Sequence, residues 1–136
     1  MVSYKTIIRV RYADTDQMGI VYNGKYLEYF EVGRTELLRN CGLAYNKVEE
    51  AGYQLPLIEA GLKYKTPAHY DDELEIEASL EKLYVPKVFI NYRVFRKGET
   101  EVLTEGFTEH VFIRTETKKA VRPPKIYIDA LAKYFE

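Results

Sequence analysis

One apolar stripe at helical spacing, followed by a succession of alternating strands, limits how this chain can fold. The residues of the stripe recur at intervals of four, three, four and four, which places them on one helix face: Tyr26, Phe30, Gly33, Leu37 and Cys41. Asn23 stands where a helix N-cap is expected, and Gly42 stands where a left-handed residue would end the helix. Gly33 costs helix stability, about 1 kcal/mol relative to alanine. Its place within the stripe therefore predicts that the helix lies very close to a sheet.

The segments on either side of this helix have the pattern of strands. Residues 3–12 alternate between a polar face and an apolar face that ends at Tyr12. Within the later segments, Pro56 and Gly61 indicate an edge strand or a bulge. Strand character extends over four such segments: 53–66, 73–81, 88–95 and 102–114.

Two shorter helical segments complete the order of elements. Residues 44–51 end at Gly52, and residues 126–135 are amphipathic, with Pro124 suited to the first helical position. Long strands with short connections predict an antiparallel sheet, against which the central helix must bury its stripe. We therefore expect an α+β fold. One sheet around one helix leaves a face uncovered, so we also expect a homodimer or a homotetramer.

Composition excludes several classes of function. A chain of 136 residues is expected to form one domain, residues 1–136. Its 20 basic and 21 acidic side chains lack the basic excess of a protein that binds nucleic acid. The single cysteine, Cys41, excludes an internal disulfide and a multi-cysteine metal site, and two histidines, His69 and His110, leave little for a histidine metal centre. No stretch approaches the length of a membrane span and no signal region precedes the first strand, so we expect a soluble, cytoplasmic protein.

The segment from Tyr12 to Tyr26 is the best candidate for chemistry. Asp14 and Asp16 precede the start of the long helix. Free backbone N–H groups and the positive end of the helix dipole suit such a start to polarising a carbonyl group. A carboxylate beside it could attack that carbonyl or activate a water molecule. On local sequence alone, the alternative that both aspartates serve only as turn and capping residues stays open.

The same segment carries a resemblance to a known family. The sequence reads Tyr12-x-Asp-Thr-Asp16-x-x-Gly19-Ile-Val-Tyr22-Asn23-x-x-Tyr26, and it continues into Phe30-Glu31-x-x-Arg34-Thr35-Glu36. It resembles the active-site signature of the 4-hydroxybenzoyl-CoA thioesterase-like family. More narrowly, it is similar to the small acyl-CoA thioesterases often encoded beside Tol–Pal envelope proteins. The likeness extends through Tyr64-Lys-Thr-Pro67-Ala68-x-Tyr70-Asp71-Asp72 and the later strands. It implies a hotdog fold, in which a curved antiparallel sheet wraps around one long helix.

The resemblance also implies roles for three residues in the hydrolysis of an acyl-CoA thioester. Asp16 is the expected catalytic carboxylate, as nucleophile or as general base. The backbone N–H of Asn23 is expected to donate to the thioester carbonyl, and Tyr12 to orient the carboxylate. Many members of the Tol–Pal branch have histidine where this chain has Asn23. We therefore expect the amide of residue 23, and not its side chain, to serve catalysis. The reaction needs no cofactor and no metal.

Other candidates and other functions remain beside this one. Another hotdog branch uses a glutamate on the central helix, which makes Glu31 a second candidate, although a solvated or ion-paired helix face explains Glu31 more simply. We expect Cys41 to be a core thiol, His69 to lie in a loop and His110 to be a satisfied sheet residue. The alternative functions are a non-catalytic acyl-CoA-binding or scaffold protein and a hotdog hydratase. The hydratase is disfavoured because the helix start offers no histidine.

Overall fold

A five-stranded antiparallel sheet and one long helix form the body of the molecule. The computed structural model describes all 136 residues. The helices are α1 (Lys25–Asn40), α2 (Tyr45–Glu50) and α3 (Lys125–Leu131). The strands are β1 (Val2–Arg9), β2 (Tyr53–Gln54), β3 (Leu57–Tyr64), β4 (Glu73–Leu80), β5 (Val88–Arg96), β6 (Thr104–His110), β7 (Phe112–Arg114) and β8 (Ala120–Val121). No helix combines the length and the apolar character needed to span a membrane.

The main sheet has the strand order β1-β4-β5-β6-β3, and every neighbouring pair is antiparallel. Helix α1 packs against β1, β4 and β5. A second sheet of three short strands has the order β2-β7-β8. The α+β fold class, with an antiparallel sheet packed on a long helix, is confirmed.

The helix stripe is the centre of the core. Tyr26, Phe30, Leu37 and Cys41 are all buried, as their spacing predicts. A Cβ atom on Gly33 would lie 2.8 Å from Cγ2 of Ile76 on β4. The predicted close approach of the helix to the sheet is therefore present at this residue.

The start of α1 differs from the prediction by one residue. Its N-cap is Gly24 and not Asn23, and no side chain caps the helix. The N–H groups of Lys25 and Tyr26 donate to the carbonyls of Tyr22 and Asn23. A backbone turn therefore satisfies the N–H groups that a capping side chain was expected to satisfy. The predicted C-terminal stop is present, because Gly42 has φ +89°.

Three of the predicted strands are shorter or divided. β1 ends at Arg9, and Tyr12 begins a 3₁₀ turn, so Tyr12 does not continue the apolar face of the strand. The segment 53–66 divides around Pro56, which has no N–H to donate to a sheet. The segment 102–114 divides at Val111, whose N–H donates to the carbonyl of Pro56 at 3.3 Å. At this point the chain leaves the main sheet for the second sheet.

The edge position expected from Pro56 and Gly61 is confirmed. β3 is the last strand of the main sheet, and its register with β6 shifts between Leu57 and Glu59. At the other end of the chain, Pro124 is the N-cap of α3 and not its first residue.

Candidate active site

The connection between β1 and α1 folds into a tight loop that presents Asp16. Thr15 forms an isolated antiparallel bridge with Val21, and the N–H of Asp16 donates to the carbonyl of Ile20 at 2.9 Å. The turn between them needs a left-handed residue, which Gly19 supplies with φ +77°. These contacts fix the backbone on both sides of the Asp16 carboxylate.

The Asp16 carboxylate is half-buried and only partly engaged by the chain. Its Oδ1 atom accepts a hydrogen bond from the N–H of Met18 at 2.8 Å. Its Oδ2 atom accepts none from the chain. Asp16 therefore has one oxygen held in place and one free to act on a ligand.

Asp16 and Asn23 line the same cleft. The cleft has a volume of about 400 Å³, and Tyr22, Tyr26 and Tyr64 form part of its wall. The N–H groups of Asn23 and of Gly24 donate no hydrogen bond within the chain. They lie at the start of α1, where the helix dipole adds positive potential. The cleft therefore combines a carboxylate with a residue, Asn23, whose N–H is unused.

Tyr64 and the segment that follows it form the opposite wall. The Tyr64 hydroxyl group donates to the carbonyl of Asn23 at 3.1 Å, and this bond ties the end of β3 to the helix start. Next in the chain, the carbonyl of Ala68 accepts from the N–H of Val21 at 2.9 Å. Arg96 supports this segment by donating to the carbonyl of Pro67 at 2.8 Å. Sequence patterns did not predict this contact, because Arg96 and Pro67 are remote from each other along the chain.

Thr104 is a further wall residue that the sequence patterns missed. It lines the cleft from β6, and its Oγ1 atom is buried without a hydrogen-bond partner. The neighbouring Tyr26 is also buried, and burial raises the pKa of its phenol. An inward-facing threonine in a strand has the same pattern as an apolar residue, so no sequence signal distinguishes it.

Asp14 has a different role from Asp16. Its carboxylate is 2% exposed and accepts from the Arg11 N–H at 3.1 Å, from Arg11 Nη2 at 3.0 Å and from the Tyr29 hydroxyl at 2.9 Å. Burial alone would raise the pKa of Asp14, but the hydrogen bonds from Arg11 and Tyr29 outweigh it and lower that pKa below its ordinary value. Asp14 is thus a buried anchor that caps the 3₁₀ turn.

Tyr12 lies away from the cleft that Asp16 and Asn23 share. Its side chain is 79% exposed, and its ring packs edge-to-face against Tyr70 with 5.7 Å between centroids. Its backbone carbonyl accepts from the Thr15 hydroxyl at 2.8 Å. Its side chain donates no hydrogen bond to Asp16.

The remaining candidates lie elsewhere. Glu31 is exposed and lines a different cavity, on another side of α1. His69 is exposed in the loop before β4, as expected. His110 is buried, with Nε2 2.9 Å from the Thr108 hydroxyl and Nδ1 3.3 Å from the Leu55 carbonyl, so it is a satisfied sheet residue. Cys41 is a buried thiol whose pKa is raised by burial.

Comparison with known proteins gives consistent relatives over nearly the whole chain. The model of the thioesterase-like superfamily matches residues 10–132. A Bacillus subtilis protein named "Putative acyl-CoA thioesterase YneP" is 33% identical over 125 residues, which are 92% of this chain and 90% of the relative. The acyl-CoA thioester hydrolase YbgC of Escherichia coli is 28% identical over 99 residues, 73% of each chain. Among solved structures, a DHNA-CoA thioesterase from Staphylococcus aureus superposes with a TM-score of 0.91 at 29% identity, covering 99% of this chain and 92% of the other.

Proposed function

The chain belongs to the thioesterase-like superfamily, and on that premise we propose that it hydrolyses an acyl-CoA thioester to a carboxylic acid and free coenzyme A. One observation carries the proposal: Asp16 and the unused N–H of Asn23 line a single cleft. The relatives named as acyl-CoA thioesterases support the substrate class.

In this proposal the helix start polarises the thioester. The carbonyl oxygen of the substrate accepts a hydrogen bond from the Asn23 N–H, and the neighbouring Gly24 N–H is available as a second donor. As the carbonyl carbon becomes tetrahedral, negative charge develops on this oxygen. Removing one such donor typically costs roughly 3–4 kcal/mol of transition-state stabilisation.

Two chemical roles are open to Asp16. As a nucleophile, its carboxylate would attack the carbonyl carbon, the carbon–sulfur bond would break, and coenzyme A would leave as a thiolate. Water would then hydrolyse the resulting mixed anhydride. As a general base, Asp16 would instead take a proton from a water molecule that attacks the carbonyl directly. A single turnover in ¹⁸O-labelled water tests the nucleophile route: ¹⁸O in the Asp16 carboxylate would establish it, because the general-base route leaves both oxygens of Asp16 in place.

Within the proposal Asp16 acts chemically and Asp14 acts structurally. All the hydrogen-bonding groups around Asp14 come from the chain itself, whereas Asp16 has one free oxygen in the cleft. The Asn23 side chain is exposed and caps no backbone group, so it has no assigned part in the reaction. Orientation of the Asp16 carboxylate by Tyr12 stays a prediction, because no hydrogen bond joins their side chains in this structure.

The first test is thiol release from a panel of acyl-CoA substrates, from short aliphatic to palmitoyl and aromatic. We expect turnover by the wild type and at least a hundredfold loss in the Asp16→Asn variant. The matched control is Asp129→Asn, an exposed aspartate on α3 that is paired with Lys125, and it should retain full activity. Binding of acyl-CoA without any thiol release would instead support the alternative of a non-catalytic acyl-CoA-binding protein.

We also propose that the chain assembles into a homodimer or a homotetramer. The outer edge of β3 has no strand partner, and its Leu57 and Ile58 side chains are 45% and 47% exposed. Exposed strand edges with apolar side chains are rarely left uncovered. Light scattering should return two or four times the chain mass of 15.9 kDa, and a monomer would contradict this assignment.

Two narrower assignments belong to the same proposal. The motif from Tyr12 to Tyr26 supports placement in the branch encoded beside Tol–Pal envelope proteins, which the neighbouring genes would test. A cytoplasmic location fits the one free thiol, Cys41, and fractionation of cells would test it.

A further inference from the structure

A second cavity lies between α1, α2 and the main sheet, apart from the cleft of Asp16. Its volume is about 180 Å³ and most of its lining is apolar. Leu38 of α1, Leu80 of β4, Val88 of β5 and Tyr127 of α3 supply apolar walls. The charged groups that line it are Glu31 and Arg34, one helical turn apart.

Arg34 has no anionic partner. Only two arginines in the chain, Arg34 and Arg96, are partly buried. Arg96 forms an ion pair with Asp72 at 3.1 Å, whereas Arg34 forms no ion pair and its guanidinium faces only the uncharged hydroxyl group of Tyr92. Glu31, although close in sequence, is exposed and does not pair with it. A half-buried guanidinium without a carboxylate is costly, because part of its hydration is lost without compensation.

The groups around Arg34 on the sheet side are neutral. Tyr92, Thr108 and His110 are buried and form a continuous chain, with 2.7 Å between the Tyr92 and Thr108 hydroxyls and 2.9 Å between Thr108 and His110 Nε2. Burial and the nearby positive charge of Arg34 lower the pKa of His110 to about 4. His110 is therefore uncharged at neutral pH, and no group on this side balances the charge of Arg34.

We propose that this cavity binds a short aliphatic monocarboxylate, with its carboxylate on the Arg34 guanidinium and its alkyl chain against Leu38, Leu80 and Val88. A guanidinium presents two parallel N–H donors that match a carboxylate. The apolar walls favour an alkyl tail over a second charged group, which Glu31 would also repel. This site does not depend on the proposed hydrolysis, because it requires only Arg34 and the cavity.

The volume of the cavity sets the size of the ligand. A water molecule in the liquid has a share of about 30 Å³, so a cavity of about 180 Å³ accommodates on the order of six non-hydrogen atoms. Butyrate has that size. Acetate would leave the apolar walls unfilled, and octanoate would exceed the space.

An NMR titration of the intact ¹⁵N-labelled protein in its own oligomeric state tests the proposal with sodium butyrate as the probe. We expect saturable shifts of amides on α1 around Arg34 and on β5 around Val88, with butyrate binding more tightly than acetate or octanoate. Butyramide, which has the same shape without the charge, should bind about tenfold more weakly. Equal binding of butyrate and butyramide would overturn the proposal.

Variants separate the role of Arg34 from general effects. Arg34→Gln should remove the preference for butyrate over butyramide, and Arg34→Lys, which keeps the charge but loses the planar fork, should retain part of it. The matched control is Arg39→Gln, an exposed arginine of α1 paired with Glu36, which should bind butyrate as the wild type does. The Asp16→Asn variant should still bind butyrate. A failure of the butyrate site and a failure of the proposed hydrolysis are therefore observed in separate measurements. Unchanged butyrate binding in Arg34→Gln, or in Arg34→Lys relative to wild type, would refute the assignment.

Discussion

The hydroxyl group of Tyr29, on the second turn of α1, donates a 2.9 Å hydrogen bond to the buried carboxylate of Asp14. This bond joins the β1–α1 loop to the helix only two residues before Asp16. The N–H of Tyr22 donates to the Asp14 carbonyl at 2.9 Å, so the two sides of the loop are joined at the same residue. The position of Asp16 relative to the helix start thus depends on a residue that does not touch the cleft.

Replacement of Asp14 or Asp16 by asparagine should separate an effect on stability from an effect on activity. Asp14→Asn removes a buried charge that accepts three hydrogen bonds, so the free energy of unfolding should fall by about 2–4 kcal/mol. Asp16→Asn should change that free energy by less than about 1 kcal/mol and abolish thiol release. Urea unfolding and the thioesterase assay on both variants check this. Equal losses on both measures would contradict the division of roles.

Removal of the Tyr29 hydroxyl tests one hydrogen bond of the Asp14 anchor while keeping the charge of Asp14. Tyr29→Phe leaves the Asp14 carboxylate with its two bonds from Arg11, so we expect a loss of about 1.5–3 kcal/mol in unfolding free energy, typical of a hydrogen bond to a charged group. Tyr84→Phe is the control, because Tyr84 is 65% exposed. Chemical denaturation measures both, and a Tyr29→Phe protein as stable as the control would argue against the anchor.

Two variants of Asn23 separate the role of its backbone N–H from that of its side chain. Asn23 is the second residue of the turn closed by the Lys25 N–H and the Tyr22 carbonyl, a position that favours proline. Asn23→Pro removes the N–H, and we expect kcat to fall about 10²–10³-fold. Asn23→His keeps the amide and should retain activity. Steady-state kinetics decide, and a fully active proline variant would exclude this donor.

His110 should make the stability of the fold depend on pH between 6.5 and about 4. Its pKa is lowered from 6.5 to about 4 in the folded state, so the unfolded chain takes up a proton first as the pH falls. Stability should therefore decline between pH 6.5 and 4 by roughly 3 kcal/mol, with no further loss from His110 below that window. Asp14, whose folded pKa is lowered, stabilises the fold above pH 3.8, and that contribution is lost as the pH falls through its folded pKa. Urea unfolding against pH should show a smaller slope in His110→Gln, while His69→Gln, an exposed control, should match the wild type.

Gly33 should resist replacement in spite of helix propensity. Alanine would gain about 1 kcal/mol as a helix former, but its Cβ would lie 2.8 Å from Ile76 Cγ2, and such overpacking typically costs 1–3 kcal/mol. We expect a net loss for Gly33→Ala and partial recovery with Ile76→Leu, which removes the branch at Cβ. Asn40→Ala, at the exposed end of α1, is the propensity control. Thermal unfolding measures all three, and a stabilised Gly33→Ala would contradict the close contact.

Sequence patterns predicted the fold well because its core has regular periods. The stripe from Tyr26 to Cys41 and the alternation of β4 each describe one element packed on a neighbouring surface, and Gly33 marked where those surfaces meet. The divisions at Pro56 and Val111 were missed, because alternation does not indicate which sheet a strand joins.

The site was predictable only in part, because local sequence patterns do not indicate contacts between separate elements. Asp16 and Asn23 are close in sequence and line one cleft, while their roles in the reaction stay a prediction. The burial of Asp14 depends on Tyr29, and the support of the cleft wall depends on Arg96, both of which are contacts between separate elements. Arg34 has no ion pair because no carboxylate of the folded chain lies within reach of its guanidinium, and no local sequence pattern indicates that.

The anchoring of the β1–α1 loop determines how this protein should open. The N–H of Tyr22 donates to the carbonyl of Asp14 and the N–H of Val21 donates to the carbonyl of Ala68, so each amide proton exchanges with solvent only after its own hydrogen bond is broken. Opening of the loop would also break the hydrogen bond from the Tyr29 hydroxyl to the buried Asp14 carboxylate, so local opening is disfavoured. The reactive loop should therefore exchange at the rate of global unfolding, as one cooperative unit with α1 and not as a mobile lid.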